Sequence, residues 1–278
     1  MKNVLVTLAK GLWIGGTLTV PGVSGGSMAM ILNIYDKLLW AVNSLVKKGG
    51  EKKKAFFFLL WTALGGGAGF VLFSKLVGAL LERFPLYVCF FFVGAVLGGI
   101  PMVVKKAEIK KFGWLDIVWT ALGVVIVWLI SLIPSGIFSI DGAGGIGGFA
   151  LKILCGLILA FGLVLPGISL SQMLYVFGIY GEIVERVSSL DILPLVPFGI
   201  GGVAGIFATS WLVETLLKRF PRQIYLVIFG FLLGSAPTMF KGQSFASAPW
   251  WAYPVFVILA ALGASAVYFM SVAEEKKN

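Results

Sequence analysis

Val20-Pro21-Gly22-Val23-Ser24-Gly25-Gly26-Ser27-Met28, running on to Asn33-Ile34-Tyr35, recurs 145 residues later. The second copy is Leu165-Pro166-Gly167-Ile168-Ser169-Leu170-Ser171-Gln172-Met173, running on to Gly178-Ile179-Tyr180. Each copy interrupts a long apolar stretch near its middle. Proline lacks the amide donor a helix needs, and glycine takes up dihedrals other residues avoid. Pro21-Gly22 and Pro166-Gly167 therefore predict breaks between half-helices. In a membrane protein, broken helices at matching places in two halves point to a binding site between repeats.

The composition places the chain in a membrane. Apolar residues make up 59% of its 278 residues, and the mean hydropathy is +1.01, too apolar for a soluble domain of this length. Stretches long enough to cross a bilayer lie at about 55–80, 86–104, 114–133, 197–217, 223–240 and 250–270. The two Pro-Gly segments, 4–46 and 150–186, are too long for one span and suit a hairpin of two half-helices. What remains holds no soluble domain. Lys2 precedes an apolar run, as in a signal peptide, but the run leads straight into the first motif without a cleavage site and is read as retained.

Several function classes fall away. There is no histidine, so a His-based metal site is excluded and any proton relay must use carboxylates. No metal or cofactor is expected. Cys89 and Cys155 sit in apolar stretches and read as packing residues. The net charge of +10 does not indicate nucleic acid, because the basic residues cluster in short loops between spans, as topology signals do. The glycine-rich run Gly142–Gly148 has no lysine and no preceding strand, and reads as a connector rather than a phosphate loop.

The repeat extends beyond the motif. At a spacing of 136, Gly65, Gly69 and Ser74 match Gly201, Gly205 and Ser210, and Arg83-Phe84-Pro85 matches Arg219-Phe220-Pro221. Gly94, Gly98, Pro101, Lys105 and Trp114 match Gly230, Gly234, Pro237, Lys241 and Trp250. The chain divides into repeat 1 (1–134), a glycine-rich linker (135–149) and repeat 2 (150–278). Lys47, Lys48 and Lys52 to Lys54 place one loop in the cytoplasm, and Lys105, Lys106, Lys110 and Lys111 place another there. Lys218, Arg219, Arg222, Lys276 and Lys277 do the same in repeat 2, while 135–149 has no Lys or Arg and lies outside. Segment 4–46 then begins and ends inside, and 150–186 begins and ends outside. The expected fold is an all-α polytopic membrane protein with both termini cytoplasmic. Its two inverted-topology repeats each have one re-entrant hairpin and three transmembrane helices, the architecture of alternating access. The Gly-x-x-x-Gly pairs predict close helix packing.

The motif has anion-binding chemistry. Ser24 is placed to cap a half-helix starting at Gly25-Gly26-Ser27, whose first amides face the hairpin tip. Ser169, Ser171 and Gln172 add hydrogen-bonding groups on the second tip, and pseudo-symmetry brings the tips together. The alternative is that neighbouring helices satisfy both tips and the motif only fixes the fold. Lys75 and Glu214 lie inside spans; Lys75 can balance a phosphate and Glu214 can carry a proton or pair with a base. Both also lie within two turns of a helix end, where snorkelling explains them. Arg83 and Arg219 can receive a phosphate headgroup near opposite membrane faces, or simply anchor helix ends. Tyr35 and Tyr180 are candidate substrate contacts, and Asp36 and Glu182 candidate coupling residues.

The two motifs, with Asn33-Ile34-Tyr35 and Gly178-Ile179-Tyr180 following, resemble the bacterial polyprenyl-phosphate transporter family over nearly the whole chain. The second copy departs from the pattern, with Leu170-Ser171-Gln172 for Gly25-Gly26-Ser27. The resemblance implies a flippase of the bacterial cytoplasmic membrane that returns undecaprenyl phosphate to the inner leaflet for cell-wall and glycan synthesis. Coupling to a proton or sodium gradient belongs to this expectation. Undecaprenyl-pyrophosphate phosphatases also carry a Pro-Gly-x-Ser motif, but follow the serine with arginine and add paired glutamates. Here Gly25 and Leu170 hold that place and no Glu-x-x-x-Glu accompanies either hairpin, so a transition-state charge would lack its cation. An ion or small-anion transporter is the remaining alternative.

Overall fold

The computed structural model describes residues 2–19, 23–108, 113–133, 145–179, 183, 185, 186, 191–240, 243–245 and 248–275. Among these residues the regular structure is all helical. The first half contributes α1 (Lys2–Thr17), α2 (Gly25–Ile31), α3 (Tyr35–Val46), α4 (Lys52–Arg83), α5 (Pro85–Gly98), α6 (Ile100–Lys106) and α7 (Trp114–Leu132). The second contributes α8 (Gly145–Val164), α9 (Leu170–Phe177), α10 (Val196–Arg219), α11 (Pro221–Thr238) and α12 (Ala252–Glu275). A short 3-10 turn, Leu193–Leu195, leads into α10. Six helical stretches, Lys52–Ser74, Pro85–Lys106, Trp114–Leu132, Gly147–Val164, Leu193–Arg219 and Ala252–Phe269, are long and apolar enough to cross a membrane. The chain is a multi-pass membrane protein.

Three boundaries differ from the sequence expectation. The stretch 4–46 forms three helices rather than two half-helices. Its return limb stops at Asn33, which adopts a left-handed φ of 55°. The Asn33 amide donates to Met30 and the Ile34 amide to Ala29, a Schellman closure of α2. Gly178 (φ 77°) ends α9 in the same way, with the Ile179 amide donating to Leu174. The linker also ends early, because α8 already begins at Gly145. Finally, the span expected at 223–240 is α11, whose 18 residues include Arg222 and Gln223 and are not among the six membrane-length stretches. It is a central helix, burying Tyr225, Leu226, Ile228, Gly230, Phe231, Leu232 and Ser235.

Proline at the first helical position, where its missing amide costs nothing, starts both α5 and α11. The residues before them, Phe84 and Phe220, share φ of −137° and close α4 and α10 through amide bonds of 2.7 Å to Leu80 and Leu216. The core is built by α2, α5, α6, α9 and α11 around Met28, Ile31, Val96, Val103 and Ile228. Outward faces of α4, α7, α10 and α12 expose Phe70, Leu72, Trp128, Trp211, Val257 and Phe269, the surface that lipid would cover.

Glycines set the helix pairing. In the closest packings α1 lies against α4, α8 against α10, α5 against α12 and α7 against α11. A Cβ on Gly65 would stand 2.3 Å from the Leu8 carbonyl oxygen, and one on Gly201 1.9 Å from that of Ile153. Gly94 and Gly230 would likewise strike Ala260 and Thr120 at 1.9 and 2.1 Å. Backbone approach this close excludes any side chain, as the Gly-x-x-x-Gly pairs predict. The third spans keep a different register. Gly123 faces Val227 and Gly263 faces Phe91, a spacing of 140, so Trp114 and Trp250 are not packing equivalents.

Candidate functional site

The start of α2, within the first motif, meets the break of the second motif directly. α8 ends at Val164, and the chain turns through Leu165, Pro166 and Gly167 before α9 starts at Leu170. Gly167 has a left-handed φ of 83°, and a Cβ there would lie 2.5 Å from Phe231 of α11. Both constraints demand glycine. The first turn of α2 seats against this turn. The Gly167 amide donates to Ser27 Oγ at 2.7 Å, and Ser24 Oγ donates to the Leu165 carbonyl at 3.2 Å. Between them Gly26 lies so close that a Cβ would be 2.9 Å from the Val164 oxygen and 3.0 Å from the Pro166 nitrogen. Ser24, Ser27 and Ser169 are all buried.

Ser24 occupies the cap position of α2 with extended backbone (φ −95°, ψ 133°), but its side chain makes no cap bond. The hydroxyl is spent on Leu165 instead, so the capping role expected of it is not the one observed. Its carbonyl accepts the Met28 amide, and the Ser169 carbonyl accepts the Met173 amide in the same relation. In the described contact the first copy supplies the small residue and the hydroxyls, Gly26, Ser24 and Ser27, and the second supplies the turn. Pro21, Gly22, Tyr180 and Glu182 lie outside the described residues, as do the side chains of Ser171, Gln172 and Lys75.

The charged candidates gather elsewhere. Glu214, with its side chain 13% exposed, pairs with Lys218 on its own helix and with Lys47 at 3.6 Å. Asn43 of α3 donates its amide to both Glu214 and the Ser210 carbonyl, the latter at 3.1 Å. Glu214 thus ties the first hairpin to α10 near the Lys47 loop. Arg83 and Arg219 end α4 and α10, each beside the next phenylalanine ring, 5.7 Å from Phe84 and 5.4 Å from Phe220. That is the helix-end placement. Tyr35 is buried, and its hydroxyl has no partner among the described residues. Asp36 accepts from Lys106 of α6 and from the Tyr225 hydroxyl of α11, the latter at 3.1 Å.

Sequence reasoning missed Asn43, Lys106, Tyr225 and the pair Asp116–Arg222. In that pair Arg222 donates through two nitrogens at 2.9 and 2.7 Å, while the Gly113 amide donates to the same carboxylate. Asn43 left a signal, an amide within the largely apolar run Leu38–Val46. The others are residues whose partners lie 70 to 189 positions away, and they left none.

Two curated proteins are similar to this chain. One, named polyprenyl-phosphate transporter, from Vibrio cholerae serotype O1, is 28% identical over 84% of this chain and 77% of its own length. The other, of the same name and from Staphylococcus aureus, is 27% identical over 85% of this chain and 86% of its own. No solved structure matches the chain. Residues 14–252, which hold both motifs and their contact, match a described family, and the chain belongs to it: the VCA0040-like, undecaprenyl phosphate translocase-like family.

Proposed function

We propose that this protein carries undecaprenyl phosphate across the bacterial cytoplasmic membrane to the inner leaflet by alternating access. The phosphate sits between the two motif breaks and the prenyl tail stays in lipid. The observation that carries the reading is the direct contact of Ser24 and Ser27 with the Leu165–Gly167 turn. A pair of hydroxyls and a turn amide, buried together in an apolar chain, can exchange their mutual bonds for bonds to phosphate oxygens. The names of the two relatives supply the substrate class.

The halves act as inverted repeats with re-entrant hairpins and cytoplasmic termini. Matched glycine contacts within each half and the exchange of α5–α12 for α7–α11 between halves support this symmetry, as does the loop charge. Opening the α2–α8 contact toward one face and then the other gives access from each leaflet. Coupling to a proton or sodium gradient falls to Glu214, a carboxylate shared between the hairpin limb α3 and the span α10.

The test is reconstitution into liposomes containing undecaprenyl phosphate, with the loss of outward-facing phosphate followed over time. Acceleration that disappears in Ser24→Ala and Ser169→Ala proteins is expected. No acceleration over empty liposomes, with proton and sodium gradients imposed, overturns the reading. Release of inorganic phosphate from the pyrophosphate lipid would turn it into a phosphatase.

A further inference from the structure

We propose that Lys106 and Tyr225 form a second phosphomonoester site, which Asp36 fills as a resident anion until an arriving phosphate displaces it. The proposal rests on the reading above and adds a station to it. Three elements converge on the cluster: the first turn of α3 with Asp36, the last turn of α6 with Lys106, and the second turn of α11 with Tyr225. One Asp36 oxygen accepts from the Lys106 ammonium and the other from the Tyr225 hydroxyl at 3.1 Å. The ammonium also stands 5.9 Å from the Tyr225 ring centroid, so the ring flanks the cation.

The donors are those a phosphate monoester needs: one ammonium and one hydroxyl, converging on a single pair of anionic oxygens. Their exposure is unequal. The Lys106 side chain is 18% exposed and Asp36 50%. The cation is therefore held within the protein, and its anion is the part that faces outward and can leave. Asp36 is also placed to move. It follows the left-handed Asn33 closure of α2 by three residues, at the start of a limb separate from α2. A dianionic headgroup binds the ammonium more strongly than a carboxylate does, and Asp36 returning to Lys106 would expel it. An internal anion that competes with the substrate keeps a carrier site from holding its cargo too tightly.

The same donors would accept free phosphate, so the test uses two probes on the full chain in nanodiscs, farnesyl phosphate and inorganic phosphate, with binding read by phosphorus NMR titration. Removing the competitor in Asp36→Asn is expected to tighten farnesyl phosphate binding about 10-fold, and Lys106→Gln to weaken it about 10-fold in both backgrounds. Tyr225→Phe keeps the ring and the packing and is expected to weaken binding about 3-fold. Equal responses to both probes uphold the site but assign it to free phosphate. Unchanged or weaker binding in Asp36→Asn, together with unchanged binding in Tyr225→Phe, overturns the proposal and leaves the cluster a strut. Transport that still depends on Ser24 and Ser169 would then leave the translocation reading standing. Absence of both farnesyl phosphate binding and transport, with inorganic phosphate tightened by Asp36→Asn, would remove that reading alone.

Discussion

The amide of Gly167 donates to the hydroxyl of Ser27 across 140 residues of chain, at 2.7 Å. The bond joins the start of one broken helix to the break of the other. It depends on glycine twice: at Gly167 for a left-handed turn against Phe231, and at Gly26 for room beside Pro166. Gly26 and Ser27 together let the first turn of α2 seat in the Leu165–Gly167 turn.

Ser27→Ala removes the acceptor and leaves a buried amide without a partner. That costs about 1–3 kcal/mol, so the thermal midpoint in detergent should fall by several degrees while the protein still folds. Transport should fall further than stability does, because the same hydroxyl is offered to the phosphate. Full transport in a Ser27→Ala protein of lowered midpoint would detach the contact from the substrate site.

Gly65 and Gly67 are two residues apart on α4 and should respond oppositely to a methyl group. At Gly65 it meets the Leu8 carbonyl at 2.3 Å, while at Gly67 nothing lies within 4 Å. Gly67→Ala should be neutral or gain up to about 1 kcal/mol from helix propensity. Gly65→Ala should force α1 off α4 and lose about 1–3 kcal/mol through overpacking. Gly201→Ala should behave as Gly65→Ala does. Thermal unfolding of the three proteins side by side checks the ranking.

Legibility in the sequence followed locality. Pro166-Gly167, the Arg-Phe-Pro turns and the glycine pairs at 65/69 and 201/205 were readable because backbone chemistry at a few adjacent residues dictates them. The second break in the first hairpin was not, because Asn33 closes α2 only once Met30 and Ala29 are helical. The register of α12 was hidden by four extra residues in the loop before it, which moved the packing spacing from 136 to 140. At the site, the approach of the first motif to the second was expected from symmetry, and the start of α2 does meet the Leu165–Gly167 turn. What each hydroxyl would bind did not: Ser24 has equal chemistry for a cap and for the Leu165 carbonyl, and only the approach of α8 decides. Lys106 read as a topology charge, and its carboxylate was supplied by another helix.

Glu214 and Asn43 should prove energetically coupled. Asn43 spans Glu214 and the Ser210 carbonyl, so removing either partner breaks one network. Glu214→Gln and Asn43→Ala should each lower the thermal midpoint, and the double variant should be no worse than the weaker single one. If Glu214 carries the coupling ion, Glu214→Gln will also abolish gradient-driven accumulation while exchange at zero gradient persists. Additive midpoint losses with intact gradient response would reduce the network to two independent contacts.

The Asp116–Arg222 pair fixes a topological relation that labelling can read. Two bonds at 2.9 and 2.7 Å hold the start of α7 to the start of α11, so the loops before these helices must lie on one face of the membrane. The proposed topology puts that face in the cytoplasm together with the Lys47–Lys54 loop. Leu193, 81% exposed before α10, is then external. Cys89 and Cys155 are both buried, so the background of an impermeant maleimide should be low. Added from outside to intact cells, the reagent should label Leu193→Cys and spare Lys48→Cys and Trp114→Cys, with the order reversed in inside-out vesicles. Labelling of Lys48→Cys and Leu193→Cys from the same side would abolish the inversion of the second half, and with it the alternating opening of the Ser27–Gly167 contact.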